Sequence, residues 1–465
     1  MISIDMLPDD VLLEIFDLYV YDEDKFFKKE IEEWQTLVHV CRRWRSLVFG
    51  SPLHLDLRLF CTAETPARDT LDVWPSLPLL IRDRGSAHPT GVDDIIAVLE
   101  RSNRVVEVDL FNVYGLEWET VLAAMQVPFP ALTRLLLNSL DRTMSVFPDS
   151  FLGRSAPRLQ FLELKGIPFP GLPKLLLSAT RLVNLHLKDI PHSGYFSPEA
   201  MVTALSTLTS LEKLSLEFES PRSHPDRASP PPLIRSVLPA LTYFSFKGVG
   251  EYLDDFVAHI DATQLRRLEM TFFNQIVFDS PHFIQFINRI PTSKPFKKAR
   301  VCFTRTTSSV SLLSQIAGYG KLEVQIRCIE LDWQVSSMEQ VCTSCLPPLS
   351  TLEDLYIYEN PHSHPVWQDN IEDALWLELL QPFATVKNLY LSGKFASRIM
   401  RALQELVGGR STEVLPTLQN IYLEELQPSG AVQACIQQFV ATRRATGHPI
   451  AVSRWDTSKQ DMRYY

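Results

Sequence analysis

The chain of 465 residues lacks the short motifs that usually reveal an enzyme. It has no Gly-x-x-x-x-Gly-Lys-Ser/Thr or Gly-x-Gly-x-x-Gly loop, the patterns that cradle nucleotide phosphates. It also has no His-Glu-x-x-His zinc motif and no Gly-x-Ser-x-Gly nucleophile motif. No cysteine lies in a recognisable catalytic context. We therefore expect a protein that is not an enzyme and that needs no cofactor.

Other absences limit the setting in which the protein works. No apolar run is long enough to span a membrane, and no basic segment followed by an apolar one opens the chain. The 7 cysteines are scattered and odd in number, and no Asn-x-Ser/Thr sequon occurs, so a secreted disulfide framework is a poor fit. The net charge of -10 argues against nucleic-acid binding. We expect a cytoplasmic or nuclear protein without a membrane or nucleic-acid partner.

The first fifty residues contain two apolar stripes at helical spacing. One stripe runs through Leu12, Ile15 and Phe16, with Pro8 near the first turn, where the missing N–H costs little. The second stripe predicts a helix through residues 37–48. So small a unit cannot bury two such stripes alone, and the excess predicts a partner surface. The alternative is an ordinary helical cap on the next domain.

The order of these residues resembles an F-box, a small helical module that docks on the Skp-type adaptor of cullin–RING ubiquitin ligases. The resemblance rests on Leu7-Pro8, then Ile15-Phe16, then Val40-Cys41-Arg42-x-Trp44. It implies a Skp-type adaptor as partner and, through the adaptor, a cullin. The residues that it assigns to adaptor binding are Leu7, Pro8, Val11, Leu12, Ile15, Phe16, Leu37, Val40, Cys41 and Trp44. We expect Cys41 to lie on the apolar face of the second helix.

The segment between the two stripes departs from the usual F-box. Residues 19–33 are longer and more charged than the usual link. The mixed charges of residues 22–33 fit a solvated helix face or a contact with the adaptor, and both readings stay open.

Beyond residue 100, the pattern apolar-x-x-apolar-x-apolar returns many times. Copies begin at Val105, Leu132, Leu159, Leu182, Leu211, Leu241, Leu265, Leu352, Val386 and Leu418. The first seven starts lie 23 to 30 residues apart. Each copy predicts a short strand with alternate residues pointing inward, and helices such as those over 93–101, 197–208 and 397–408 return the chain to the next parallel strand. Residues 301–303 and 322–326 are candidate strands where the rhythm blurs.

Strand plus helix at this period resembles the leucine-rich repeat. The usual Asn or Cys after the strand is replaced by Leu140, Ile167, Ile190 and Val249, which predicts turns filled by apolar packing. We therefore expect an α/β chain in which a small helical F-box precedes an irregular leucine-rich-repeat solenoid with parallel strands and helices. The alternative is an ordinary α/β domain.

The predicted domains are an F-box over 1–50, a cap or linker over 51–100, the repeat region over 101–452 and a tail over 453–465. In the cap, residues 53–57 and 77–81 predict strands. Residues 221–232 predict a proline-rich loop, 431–440 a last helix and 449–452 a final strand.

Two clusters have a functional and a structural reading. Cys342 and Cys345 form a Cys-x-x-Cys pair, and His362 and His364 follow at a spacing that zinc fingers do not use. We therefore expect no metal site and assign these residues to turns and loops. Four aromatic residues line a binding face or belong to the core, with the core favoured: Tyr356, Tyr358, Trp367 and Trp376.

The resemblance as a whole predicts a substrate-receptor subunit of a cullin–RING ligase, which presents an unidentified client protein on its repeats. The alternatives are a receptor of the same type that senses a small molecule, and an interaction scaffold without a ligase.

Overall fold

The computed structural model describes residues 4–20, 33–52, 54–62, 71, 74, 76–83, 91–111, 116–140, 145–221, 235–273, 280–290, 296–314, 320–347, 349–368, 371–406, 410, 412–424 and 430–455. The chain forms two compact units. The first comprises Met1–Phe196 and Thr203–Leu211, and the second comprises Ser197–Val202 and Glu212–Tyr465. Both combine helices with mainly parallel strands, so the predicted α/β class is confirmed. The division falls inside the predicted repeat region, and the domain limits given above stay predictions.

The first unit begins with three helices: α1 (Asp9–Val20), α2 (Glu33–Val38) and α3 (Arg42–Gly50). Six strands follow: β1 (Leu59–Cys61), β2 (Leu79–Asp83), β3 (Val105–Phe111), β4 (Arg134–Asn138), β5 (Phe161–Lys165) and β6 (Asn184–Ile190). They pair side by side in chain order, and every pair is parallel. The connections include α4 (Val92–Leu99), α5 (Leu116–Ala124) and α6 (Leu172–Leu176), while α7 (Pro198–Leu205) has residues in both units.

Columns of leucine hold these strands in register. Leu135, Leu162 and Leu185 occupy matching positions on β4, β5 and β6, and all three are fully buried. Each leucine stacks on the one before it, so that one repeat buries the apolar face of the next. The backbone joins the repeats in the same way: the amide of Gln160 donates to Thr133, and the amide of Val183 donates to Gln160. The first unit therefore contains a stack of parallel strands with buried leucines at matching positions, as the repeat pattern predicts.

The second unit holds twelve strands within its described residues: β7 (Lys213–Phe218), β8 (Ser236–Val237), β9 (Tyr243–Gly248), β10 (Ile260–Asp261), β11 (Arg267–Phe273), β12 (Phe296–Phe303), β13 (Thr307–Ser314), β14 (Lys321–Arg327), β15 (Asp354–Glu359), β16 (Asn388–Leu391), β17 (Asn420–Leu423) and β18 (Ala451–Arg454). The helices are α8 (Gly250–Ala258), α9 (Pro281–Arg289), α10 (Leu331–Gln340), α11 (Asp373–Leu380), α12 (Gly393–Gln404) and α13 (Gly430–Ala445). All ten copies of the repeat pattern, counting those of the first unit, run into a strand.

One strand in the middle of the second unit departs from the expected parallel arrangement. The order there is β11, β14, β13, β12, β15, and β13 runs antiparallel to both of its neighbours. Only three residues separate β12 from β13, which is enough for a hairpin but not for the crossover that a parallel pair needs. The candidate strands at 301–303 and 322–326 are present as parts of β12 and β14.

Several predicted elements need correction. Residue 55 is buried in a turn and residue 57 is buried just after it, so neither lies in a strand. The first strand is β1, which begins two residues after residue 57. The second N-terminal helix is divided into α2 and α3. Helix α12 begins at Gly393, four residues before the predicted start. The predicted tail begins inside β18, and Trp455 after it is buried. The proline-rich loop, apart from residue 221, and residues 456–465 lie outside the described residues.

The turns after the strands agree in large part with the prediction of apolar packing. Ile167, Ile190 and Val249 are buried, whereas Leu140 is 60% exposed. Gly166 precedes Ile167 with a φ of +67°, a conformation that favours glycine. A Cβ there would also approach the carbonyl oxygen of Ser139 far too closely, since the two repeats meet at this point.

Candidate functional site: the N-terminal helices

The three N-terminal helices pack around a small core. Phe16 of α1 is fully buried, and its ring lies 4.7 Å from that of Trp44 of α3, centroid to centroid. Arg43 joins α3 to the start of α1, because its guanidinium donates to Asp9 Oδ1 at 2.7 Å and to the Leu7 carbonyl at 2.6 Å. The core therefore fixes the orientation of α1 and decides which of its sides faces outward.

One exposed face of α1 is apolar. Val11 is 39% exposed, Ile15 40%, Leu18 76% and Tyr19 46%. Their spacing of four, three and one residues places them on one face of the helix. We call these four residues the α1 patch. Large apolar side chains gathered on one exposed face are typical of an interaction site.

The residues assigned to adaptor binding are divided by the structure. Leu12, Phe16 and Leu37 are buried within the module, and burial leaves them no free surface for a partner. The other seven residues are exposed or half-buried: Leu7, Pro8, Val11, Ile15, Val40, Cys41 and Trp44. The role of all ten in adaptor binding stays a prediction. The sequence pattern missed Leu18 and Tyr19, although helical spacing from Val11 and Ile15 could have found them.

Cys41 does not lie on the apolar face of a helix, as the sequence suggested. It is the exposed N-cap of α3, and its Sγ accepts a hydrogen bond from the Trp44 amide at 3.4 Å. A side-chain acceptor at this position satisfies one of the free amides of the first turn. The predicted single helix therefore ends at Val38 and begins again at Arg42. Residues 21–32, which carry most of the charged insert, lie outside the described residues.

One face of the sheet in the second unit carries two ladders across β15, β16 and β17. Asn388 donates to Asp354 and Asn420 donates to Asn388, both at 2.8 Å. Beside them, the rings of Tyr356, Tyr390 and Tyr422 stack with centroids 4.2 and 4.5 Å apart. Trp455 packs against this stack and covers part of it.

The core reading of the aromatic residues is largely confirmed. Tyr356, Tyr358 and Trp376 are buried. Trp367 is half-buried, packs on Phe395 and donates to a Glu359 oxygen at 3.3 Å.

A small polar cavity of about 150 Å³ opens on the same unit, between β7, β9, β11 and β14. Its central carboxylate, Glu269, contacts Arg267 at 2.6 Å, Lys321 at 3.0 Å and the Tyr243 hydroxyl at 2.9 Å. Burial alone would raise the pKa of Glu269, but these contacts outweigh burial and hold the pKa below its ordinary value. Small-molecule pockets usually measure about 300 to 1,000 Å³, so this cavity is too small for most ligands of that kind.

Both cysteines of the Cys-x-x-Cys pair are buried, in surroundings that disfavour the thiolate form needed by a metal ligand or a nucleophile. Cys342 and Cys345 are buried beyond the end of α10, and burial raises the pKa of both thiols, that of Cys345 to about 12. His362 is exposed, and His364 lies 3.4 Å from Glu359. Among the described residues, no three or more His, Cys, Asp or Glu residues are grouped so that they could hold a metal ion.

No helix in the described ranges is both long and apolar enough to cross a membrane. Comparison with known proteins gives no family: no family model matches the sequence, and no curated protein is similar to it. Among solved structures, the chain is similar to the leucine-rich-repeat-containing protein LegL7 from Legionella pneumophila. The two share 11% identity over 82% of this chain and 97% of that chain, with a TM-score of 0.26. So low a TM-score supports no conclusion about this chain.

Proposed function

We propose that this chain is a substrate-receptor subunit of a cullin–RING ubiquitin ligase, which docks on a Skp-type adaptor through its N-terminal helices. The observation that supports the proposal best is the α1 patch. It keeps four apolar side chains on a helix whose orientation the module's own core fixes. A rigid apolar helix face loses little conformational entropy when a partner covers it.

The proposed mechanism is positioning rather than bond-making. The repeats would bind a client protein while the adaptor and cullin hold the ubiquitin-loading enzyme nearby. Joining the two in one assembly raises the effective concentration of client lysines near that enzyme. Repeat units present extended surfaces of the kind that such a role needs.

Adaptor binding is tested by co-purification of the full-length chain with a Skp-type adaptor. We expect a stable complex for the wild type and a loss of about 10-fold or more in affinity for Ile15→Asp, because a carboxylate in an apolar interface loses its hydration. Ile15 is already 40% exposed, so this substitution should leave the module folded. The matched control is Val127→Asp, at a residue 46% exposed elsewhere in the first unit.

Two results would contradict the proposal. One is a wild-type chain that fails to co-purify under conditions where a known F-box protein binds the same adaptor. The other is equal binding by Ile15→Asp and by Val127→Asp. Circular dichroism of both variants checks that any loss of binding does not come from unfolding.

The alternatives have their own tests. A small-molecule sensor should carry a bound ligand in native mass spectrometry, although the polar cavity of the second unit gives that reading little support. An interaction scaffold should bind the adaptor without recruiting a cullin, which reconstitution with purified cullin would reveal.

A further inference from the structure

A second exposed apolar cluster lies in the second unit, where the loops after β14 and β15 meet. Ile329 is 59% exposed, Trp333 49% and Val366 48%. Residues 330 and 366 form an isolated parallel bridge, which brings the two loops together. We call the three apolar residues the tryptophan corner. Among large apolar residues in the described part of this unit, only Val237 is also exposed.

The corner is held rigidly from below. Helix α10 begins beside it, and Leu331 and Gln334 on the inner side of that helix are fully buried. Gln334 Nε2 donates to the Thr304 carbonyl at 3.1 Å and to the Cys328 carbonyl at 2.7 Å. Trp333 is therefore presented outward by an anchored helix turn. Exposed tryptophan on a rigid support is the residue type most enriched at energetic hot spots of protein interfaces.

Hydrogen bonds also tie the two loops to each other. Gln368 Nε2 donates to Glu330 Oε2 at 2.7 Å, and the Asp332 amide lies 3.4 Å from Gln368 Oε1. The Trp333 amide donates to Asp332 Oδ1 at 2.8 Å. These contacts hold both carboxylates beside the apolar side chains.

The two carboxylates carry charge that no cation within the described ranges neutralises. Neither Glu330 nor Asp332 has a Lys, Arg or His side chain at ion-pair distance there, since the contacts above come from an amide side chain and the backbone. Burial and the negative charges of these two residues raise the pKa of the nearby Cys328 thiol. Two cations beside Trp367 and Gln368 contact other groups: Lys394 lies over the Trp367 ring, and Arg398 donates to the Gln368 carbonyl.

We propose that the tryptophan corner binds a peptide segment in which an apolar side chain is flanked by Lys or Arg. The apolar side chain would contact Ile329, Trp333 and Val366, and the basic groups would lie near Glu330 and Asp332. A cation close to Trp333 would also face the electron-rich surface of the indole ring. Such a peptide would be part of the client protein, and only this identification rests on the proposed function.

The test uses display of random 12-residue peptides on the immobilised full-length chain, with counter-selection on Trp333→Ala. We expect the enriched peptides to carry basic residues around an apolar one. In fluorescence anisotropy, their affinity should fall about 10-fold or more for Trp333→Ala. It should also weaken in the double variant Glu330→Gln, Asp332→Asn and as the NaCl concentration rises from about 50 to 500 mM. The matched control, Val237→Ser, should bind as the wild type does.

Three results would overturn the proposal. The first is that no peptide is enriched over the counter-selection, and the second is that enriched peptides lack basic residues and bind independently of salt. The third is self-association that Trp333→Ala abolishes in light scattering, which would make a second copy of the chain the occupant. The proposed adaptor binding is tested through Ile15 in a separate experiment. Failure there would leave the peptide result standing, and the reverse also holds.

Discussion

Replacing Phe16 by alanine should loosen the N-terminal helices without disturbing the repeats. The side chain is fully buried, and Phe→Ala at such a site costs about 3 to 5 kcal/mol through lost burial and the cavity left behind. The contact with Trp44, at 4.7 Å between centroids, is lost as well. Small units have only about 5 to 15 kcal/mol of stability, so we expect α1 to open locally at a much higher frequency.

Hydrogen–deuterium exchange measures this effect directly. A cost of about 3 to 5 kcal/mol corresponds to exchange of α1 amides roughly 100 to 5,000 times faster than in the wild type. Peptides from the second unit should exchange at the wild-type rate. The matched control is Val11→Ala on the outward side of the same helix, which should change the stability by less than about 1 kcal/mol.

The reasoning would be refuted by α1 amides in Phe16→Ala that exchange within about threefold of the wild-type rate, a change of under about 1 kcal/mol. It would also be refuted if Val11→Ala accelerated exchange as strongly as Phe16→Ala. Either result would mean that the burial of Phe16 does not hold α1 in place, and the α1 patch would lose its fixed orientation.

Two further predictions concern the second unit. Arg443→Met should lower the free energy of unfolding of this unit by about 2 to 4 kcal/mol in urea denaturation. The buried guanidinium donates to three backbone carbonyls between residues 415 and 418, and these carbonyls would lose their donor. A change below about 0.5 kcal/mol would contradict this prediction. Burial and the neighbouring Glu269 raise the pKa of Tyr243 from 10.0 to about 12, so the unfolded state gains more from deprotonation as the pH rises through this window. Stability that is present below pH 10 should therefore fall between pH 10 and 12. The fall should be smaller in Tyr243→Phe than in the wild type, and equal slopes would contradict the assignment.

Much of the repeat architecture could be read from local pattern. The leading apolar residue of each copy is buried, and in all copies but the one at Val105 it precedes its strand. The alternate residues after it point into the core, as with Leu135 and Leu137 after Leu132. The burial of these apolar residues and the alternation of side chains along a strand depend only on neighbours along the chain and on the next repeat. That is why every copy runs into a strand.

The antiparallel strand β13 was not predictable in the same way. Its inward residues are Ser308, Val310 and Leu312, so it offers a weaker apolar signal than the other strands. Alternation is also the same for a strand that runs in either direction. The three-residue link to β12 sets the antiparallel direction once β13 is recognised as a strand, but its weak apolar signal hides the strand itself.

The candidate docking surfaces also depend partly on local pattern and partly on folding. By itself, the sequence determined that the N-terminal helices are amphipathic, that strands recur every 23 to 30 residues from Val105 to Leu265, and that their leucines form the core. Only folding places Phe16 inside while Ile15 and Leu18 are outside, and only folding joins the loops of Ile329 and Val366 through the bridge between residues 330 and 366. Helical spacing fixes which residues share a face, whereas exposure depends on what the remaining chain covers.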